Sequence, residues 1–420
     1  MNHTFKSLAV LVMAALALSV FFSAQLLAQD EKPQVRHPSY TLLGKNPPPV
    51  DSPLNPNFLL SQESKISEGS LWYTDYIHER LVGLDVADAT GDGKNELVYA
   101  TPHNLYLVRV NNGLMEQLAT FEIPKSVKGL SVDFYDTNND GRYEIVLSCQ
   151  ASGAGPSSFV LAYDNSKTLK VLGSHLPFYL RVYGSGQRRN LAAQKGSGNS
   201  NNVFIGNVHQ ASFSGGKVVV GDKIELPFGV NIFFFNAGDL GSSGQRMIAT
   251  VTYPAENLRV YTGGSRENFA AQASSEYCGT VNYIDISNSK DDGRNVLYLP
   301  SRIVFADIDN DGANEVIVAK NRQSGVKVMN NLRSFDGGVI EAMKFNNLSL
   351  VPFFSSTNLL PGPPVDYQLA DLDNNGSKDL VTAVVLDPGS GMINTGLSRI
   401  VSYSNLYSTP QPAQTSTASK

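Results

Sequence analysis

Cysteine is nearly missing from this chain: two in 420 residues, Cys149 and Cys278, with no C-x-x-C and no C-x-x-C-H. That excludes a redox motif, a zinc ribbon and covalent haem as organising chemistry. The two thiols are either one disulfide, as an oxidising compartment permits, or two separate small apolar residues of the core. Histidine is scarce too, and His37, His78, His103, His175 and His209 do not pair at metal-ligand spacing. Charged residues make up 17%, against about a quarter in an average globular domain. The formal net charge of −5 leaves no basic footprint for nucleic acid or an anionic membrane. There is no G-x-S-x-G, no Walker loop and no G-x-G-x-x-G after a strand. The stretches GSGQRRN and QKGSGNSNN have no helix behind them, so they read as loops and not as phosphate cradles. Arg188 and Arg189 in the first of these read as a small basic spot on a solvated loop.

What the chain does contain is organised in zones. Lys6 precedes an apolar run from Leu8 to Phe22, and Leu26-Leu27-Ala28 offers a cleavage site before Gln29, which predicts an export signal over residues 1–28. The alternative is an uncleaved anchor continuing to Ala28, although the unbroken run is shorter than the roughly 20 residues a spanning helix needs. No later stretch is apolar enough to span a bilayer as a helix, so none is expected in the mature chain. Residues 29–66 are rich in proline and predict a spacer or a wrapped arm. Residues 408–420 form a low-complexity tail whose composition predicts disorder. Between them, short runs of β-branched and aromatic residues alternate with Gly, Asn and Asp, which predicts an all-β domain over 67–407.

Internal repetition sharpens that expectation. Four segments align without gaps: DATGDGKNEL from Asp88, DTNNDGRYEI from Asp136, DIDNDGANEV from Asp307 and DLDNNGSKDL from Asp371. Each lies between two apolar strand-like runs. Degenerate copies stand at Asp239 (DLGSSGQRM) and around Gly186, which makes six units of roughly four strands each. Units of this kind stack around a ring, and a closed ring leaves no outermost edge exposed. The predicted fold is a β-propeller of four-stranded blades. Six blades are expected, with seven as the alternative and a β-sandwich or solenoid as the competing architecture. The last unit is one strand short, and SLWYTDYI ahead of the first unit is a spare strand predicted to complete it and close the ring. The segment IDISNSKDDGRNVLYL reads as an inserted hairpin.

The loop pattern is D-x-(D/N/T)-x-(D/N)-G-x-x-(D/E). A hard cation such as Ca²⁺ takes six to eight oxygen ligands. Side chains at alternate loop positions turn toward one centre, and the glycine permits the reversal that brings the next carbonyl in. The candidate ligands are Asp88, Thr90, Asp92 and Glu96; Asp136, Asn138, Asp140 and Glu144; Asp307, Asp309, Asp311 and Glu315; Asp371, Asp373, Asn375 and Asp379. The seventh-position carbonyls would come from Lys94, Arg142, Ala313 and Ser377. Two carboxylates about 4 Å apart repel by roughly 4 kcal/mol at an effective dielectric of 20, so a counter-ion is expected. Neutral Thr90 weakens the first loop. These are not EF-hands, which need twelve loop positions between helices.

With those residues in view, the repeats resemble the FG-GAP/VCBS repeats of integrin α-subunit propellers and of bacterial surface proteins, over roughly Ser67 to Tyr407. The resemblance implies that the ions, here up to four Ca²⁺, are structural and sit at one rim, and that the chain binds a ligand or partner, which it does not identify; a protein or glycan partner at the cell envelope is expected. It does not imply a reaction. The expectation is an exported, periplasmic or surface-located, non-enzymatic binding or scaffold module. The alternative is a secreted polysaccharide lyase or hydrolase that uses the propeller cleft.

Overall fold

The computed structural model describes residues 71–404, apart from 152–154, 165, 186–187, 198–202, 242–243, 264–267, 278, 287–295, 324–332, 357–359 and 390–394. The expected export signal, proline-rich arm and tail lie outside the described residues, as does Cys278. Cys149 is a free thiol, fully buried.

Strands form where the apolar runs predict them. A short first strand, β1 (Leu71–Tyr73), precedes a regular series. The first blade is β2 (Gly83–Ala87), β3 (Glu96–Ala100), β4 (Asn104–Asn111) and β5 (Leu114–Glu122). The second is β6 (Val127–Tyr135), β7 (Glu144–Ala151), β8 (Ser158–Tyr163) and β9 (Leu169–Leu176). The third is β10 (Tyr179–Ser185), β11 (Arg188–Gly196), β12 (Phe204–Ser214) and β13 (Lys217–Lys223). The fourth is β14 (Phe235–Asp239), β15 (Arg246–Val251), β16 (Asn257–Tyr261) and β17 (Phe269–Glu276). The two-stranded insert β18 (Tyr283–Asp285) and β19 (Val296–Tyr298) comes next. The fifth blade is β20 (Val304–Ala306), β21 (Glu315–Gln323), β22 (Phe335–Phe345) and β23 (Leu350–Ser355). The sixth has β24 (Pro364–Ala370), β25 (Asp379–Asp387) and β26 (Leu397–Tyr403). All pairings within blades are antiparallel, and the six sheets form the ring of a six-bladed propeller.

The ring closes as the spare strand predicts. β1 pairs with β26 through Leu71–Tyr403, Trp72–Ser402 and Tyr73–Val401, and supplies the missing fourth strand. Trp72 Nε1 also donates to Gly113 O at 2.7 Å, which ties the closing strand to the first blade. The insert is a hairpin and not a seventh blade.

Burial falls from the centre outward. β2 and β3 are buried at every position because other blades cover both their faces, whereas most of β5 is exposed. This is why the inner strands read as unbroken apolar runs. Alternate side chains feed opposite blade interfaces. On β3, Val98 and Ala100 pack toward the second blade, while Leu97 and Tyr99 pack toward the sixth. Every pair of neighbouring blades shares such an apolar cluster. Each fully buried Leu, Val, Ile or Phe in them contributes about 1.5–3 kcal/mol. Phe233, Phe234 and Phe235 join Tyr179, Tyr183 and Phe204 between the third and fourth blades.

Candidate metal centres and the channel

In the first, second, fifth and sixth blades the acidic loop joins the innermost strand to the second. All four complete loops adopt one backbone. The fourth residue is left-handed in each (Gly91 φ 75°, Asn139 58°, Asn310 60°, Asn374 60°), as is the sixth (Gly93 81°, Gly141 87°, Gly312 85°, Gly376 90°). Asparagine and glycine tolerate that region best, so the sequence pattern is a backbone requirement as well as a ligand set. The first aspartate holds the turn. Its Oδ2 accepts from the glycine N–H at 2.7 Å for Asp88, 2.9 Å for Asp136, 2.9 Å for Asp307 and 2.8 Å for Asp371. The ninth carboxylate accepts from the second N–H at 2.9, 2.8, 3.0 and 3.0 Å for Glu96, Glu144, Glu315 and Asp379. Lys94, Arg142, Ala313 and Ser377 each donate their N–H to the fifth side chain.

Two loops gather three carboxylates. Oxygens of Asp307, Asp309 and Glu315 lie within 4.8 Å of one another, as do those of Asp371, Asp373 and Asp379. Asp379 is 1% exposed, and its Oδ1 has no hydrogen-bond partner. Burial lifts its carboxyl above the usual range, with Asp373 and Asp371 adding to the effect and Ser404 and the Leu372 amide opposing it. Asp309 Oδ1 is likewise unpartnered. Burial, with Asp309 and Asp311 beside it, pushes Glu315 up to about 7. A buried carboxylate oxygen without a partner is costly, so the cluster at Asp379 fits a metal ion, and the cluster at Glu315 offers the same ligand geometry. In the loop at 136, Asn138 Nδ2 donates to Asp140 Oδ2 at 2.9 Å, as Asn375 Nδ2 does to Asp373 Oδ2 at 3.0 Å in the loop at 371.

Two loops hold a side-chain cation. Arg109 on β4 reaches Asp92 Oδ2 at 2.9 Å, Thr90 Oγ1 at 2.9 Å and Glu96 Oε1 at 2.7 Å. Glu96 is still lifted, because burial outweighs the guanidinium. Lys344 on β22 lies 2.5 Å from Asp309 and 2.8 Å from Asp311, and its hydrogen bond is the main cause that holds the Asp311 carboxyl low.

The loops also bond around the rim. The eighth residue contacts the first residue of the preceding blade's loop. Asn95 Nδ2 donates to Asp371 O at 2.8 Å, Tyr143 N to Asp88 O at 3.0 Å, and Asn314 Nδ2 to Asp239 O at 2.9 Å.

Inside the rim, a pocket of about 470 Å³ opens onto the channel. Asp85, Arg181, Arg189 and Arg302 line it and belong to a set of paired charges that the sequence did not reveal. Arg302 binds Asp366 with two bonds, 2.6 and 2.7 Å, and lies 3.3 Å from Asp133. Arg189 is 2.7 Å from Asp85, and Arg181 is 3.3 Å from Asp133. Arg189 therefore turns into the channel, and only Arg188 is left exposed on the loop where both were expected. Three aspartates face three arginines, so the lattice is charge-balanced.

It has a backbone role as well. The innermost strands have an unpaired inner edge, which must be satisfied. Asp366 Oδ2 accepts from Leu84 N at 3.1 Å, Asp85 Oδ2 from Phe134 N at 2.8 Å, and Asp133 Oδ2 from Val182 N at 3.2 Å, each reaching into the next blade. Arg302 donates to Leu84 O at 2.6 Å and to Val132 O at 3.2 Å. Burial raises Asp133, with Arg181 and Arg302 opposing it. Burial also works on Asp85, but Arg189, Arg302, the Phe134 amide and Gln368 outweigh it and hold its carboxyl low. A register signal was available: Asp85, Asp133 and Asn236 each stand three residues before a loop aspartate.

Residues 88–147 match the family model of the FG-GAP-like repeat, from the first acidic loop into the strand after the second. No curated protein matches the chain. A solved glucose dehydrogenase is similar in fold at 9% identity and a TM-score of 0.44, over 79% of this chain and 98% of that one, too distant a likeness to carry an argument about function.

Proposed function

We propose that this six-bladed propeller, with its FG-GAP-like repeat, is an exported, calcium-stiffened binding module for a protein or glycan partner, and not an enzyme. The carrying observation is the channel. Its aspartates face arginines and backbone N–H groups of neighbouring blades, an arrangement that favours holding the ring together over acid–base chemistry in a cleft. Recognition then falls to the rims. The strand directions put the acidic loops on one rim and the β15–β16 turn and the insert on the other. On that second rim a cleft of about 560 Å³ is lined by Phe204, Phe228, Phe234, Tyr253, Tyr261 and Arg259. Phe228 is 85% exposed and Tyr253 56%, an arrangement suited to sugar faces or an apolar peptide side chain. Calcium at the opposite rim would stiffen the hairpins that hold the blades in register.

The test is a pull-down from the native envelope, with and without a chelator, alongside turnover assays on whatever is retained. The expected result is a partner held without turnover, released or weakened by chelation. Cleavage of a retained polysaccharide would overturn the reading. A melting midpoint indifferent to both Ca²⁺ and EGTA would remove its calcium element.

A further inference from the structure

The four complete loops share one backbone, so what separates them is the residue that faces the ninth position from the third strand. Antiparallel register fixes that residue. Leu97 pairs with Val108, which sets Glu96 opposite Arg109. Val316 pairs with Met343, which sets Glu315 opposite Lys344. Ile145 pairs with Leu161, which sets Glu144 opposite Ala162. Leu380 pairs with Tyr403, which sets Asp379 opposite Ser404. One structural position therefore carries a cation in the first and fifth blades and a small neutral residue in the second and sixth.

We propose that this position decides which loops take a divalent ion. Arg109 and Lys344 are tethered counter-ions standing where the metal would stand, and tight Ca²⁺ binding belongs to the loops at 136 and 371. The proposal rests on the calcium reading above and refines it.

The first loop is the fully committed case. Arg109 engages Thr90, Asp92 and Glu96 together, and is itself only 15% exposed. Those are three of the four side chains expected to bind an ion. Thr90 fits this arrangement: its hydroxyl accepts from the guanidinium without adding a third carboxylate to the two that Arg109 already faces. The fifth blade is intermediate. Lys344 is 37% exposed and on a flexible stem, and it binds Asp309 through Oδ2 while Oδ1 has no hydrogen-bond partner. An ion enters there only by displacing the ammonium, so binding is weaker. The loop at 371 is the opposite case, with three gathered carboxylates, an unpartnered buried oxygen on Asp379 and Ser404 across from it. The loop at 136 has the same backbone and Ala162 in the deciding place.

The experiment is equilibrium dialysis of the full chain against buffered free Ca²⁺, with bound metal counted by mass spectrometry. The wild type is expected to hold two ions tightly and a third at roughly tenfold or more higher free Ca²⁺. Lys344→Ser should convert the third ion to tight binding. Arg109→Ser combined with Thr90→Asp should add one ion. The reciprocal change Ala162→Arg should remove one. Circular dichroism of each variant confirms that it is folded, and the wild-type count alone decides the case if a variant is not. Four equal sites in the wild type, or an Ala162→Arg protein that keeps its full count, would overturn the proposal while leaving calcium stiffening intact. No bound ion at all would sink both.

Discussion

Arg302 offers the sharpest test of how the ring is held. It is 9% exposed, makes a two-pronged pair with Asp366, itself 3% exposed, and donates to backbone carbonyls of the first and second blades. Arg302→Met keeps most of the side-chain volume and removes the charge. Asp366 and Asp133 are then left buried with a partner missing, which costs about 3–5 kcal/mol for a broken buried pair. Unfolding entropy is about 2.1 cal/mol/K per residue, or roughly 0.7 kcal/mol/K for a domain of about 330 residues, so the expected fall in melting midpoint is about 4–7 °C. Scanning calorimetry gives the number. Arg322→Ala is the control, because that arginine is 74% exposed and pairs with an Asp336 that is 52% exposed, a contact worth under about 1 kcal/mol. The double change Arg302→Met with Asp366→Leu should recover part of the loss, since it removes both charges. If Arg302→Met lowers the midpoint no further than Arg322→Ala, the channel lattice is not what secures the blades.

Other outcomes follow from single contacts. The hydroxyl of fully buried Tyr367 lies 2.8 Å from Arg302 O and 2.7 Å from Ile317 O and shares its one proton between them, so Tyr367→Phe should cost about 1–3 kcal/mol in chemical denaturation. Gly376 has φ of 90° and open space where a Cβ would go, so Gly376→Ala should cost about 1–2 kcal/mol through the backbone alone, with weakened Ca²⁺ binding at that loop. Cys149 is buried and its thiol is held in the protonated form by burial, so it should resist alkylation in the folded protein and react at once in denaturant.

Much of this architecture was legible because repeats advertise themselves. The acidic loops fixed the period, the shortfall in the last unit pointed to the spare strand carrying Trp72, and the short interval before Asp307 marked the insert as a hairpin. What was hidden depends on register across strands. Asp85 and Asp133 sit within apolar runs and look like interruptions until the ring sets them beside arginines from other blades. Arg302 lies far along the chain from Leu84 and Val132, and no local pattern links them. Arg109 and Lys344 are ordinary strand cations in sequence, and only pairing with Glu96 and Glu315 reveals their place. Loop chemistry is local, whereas channel chemistry is made by closure.

The closing strand has a mechanical consequence. Leu71 pairs with Tyr403, so the entry and exit of the propeller sit at the same end of one antiparallel pair. Tension between the two ends of the domain would load these bonds one at a time, like a zip, and not all together in shear. The latch that resists thermal opening is thus weak against pulling. Single-molecule stretching should release the sixth blade first and at low force, with Trp72 parting from Gly113 as the ring opens.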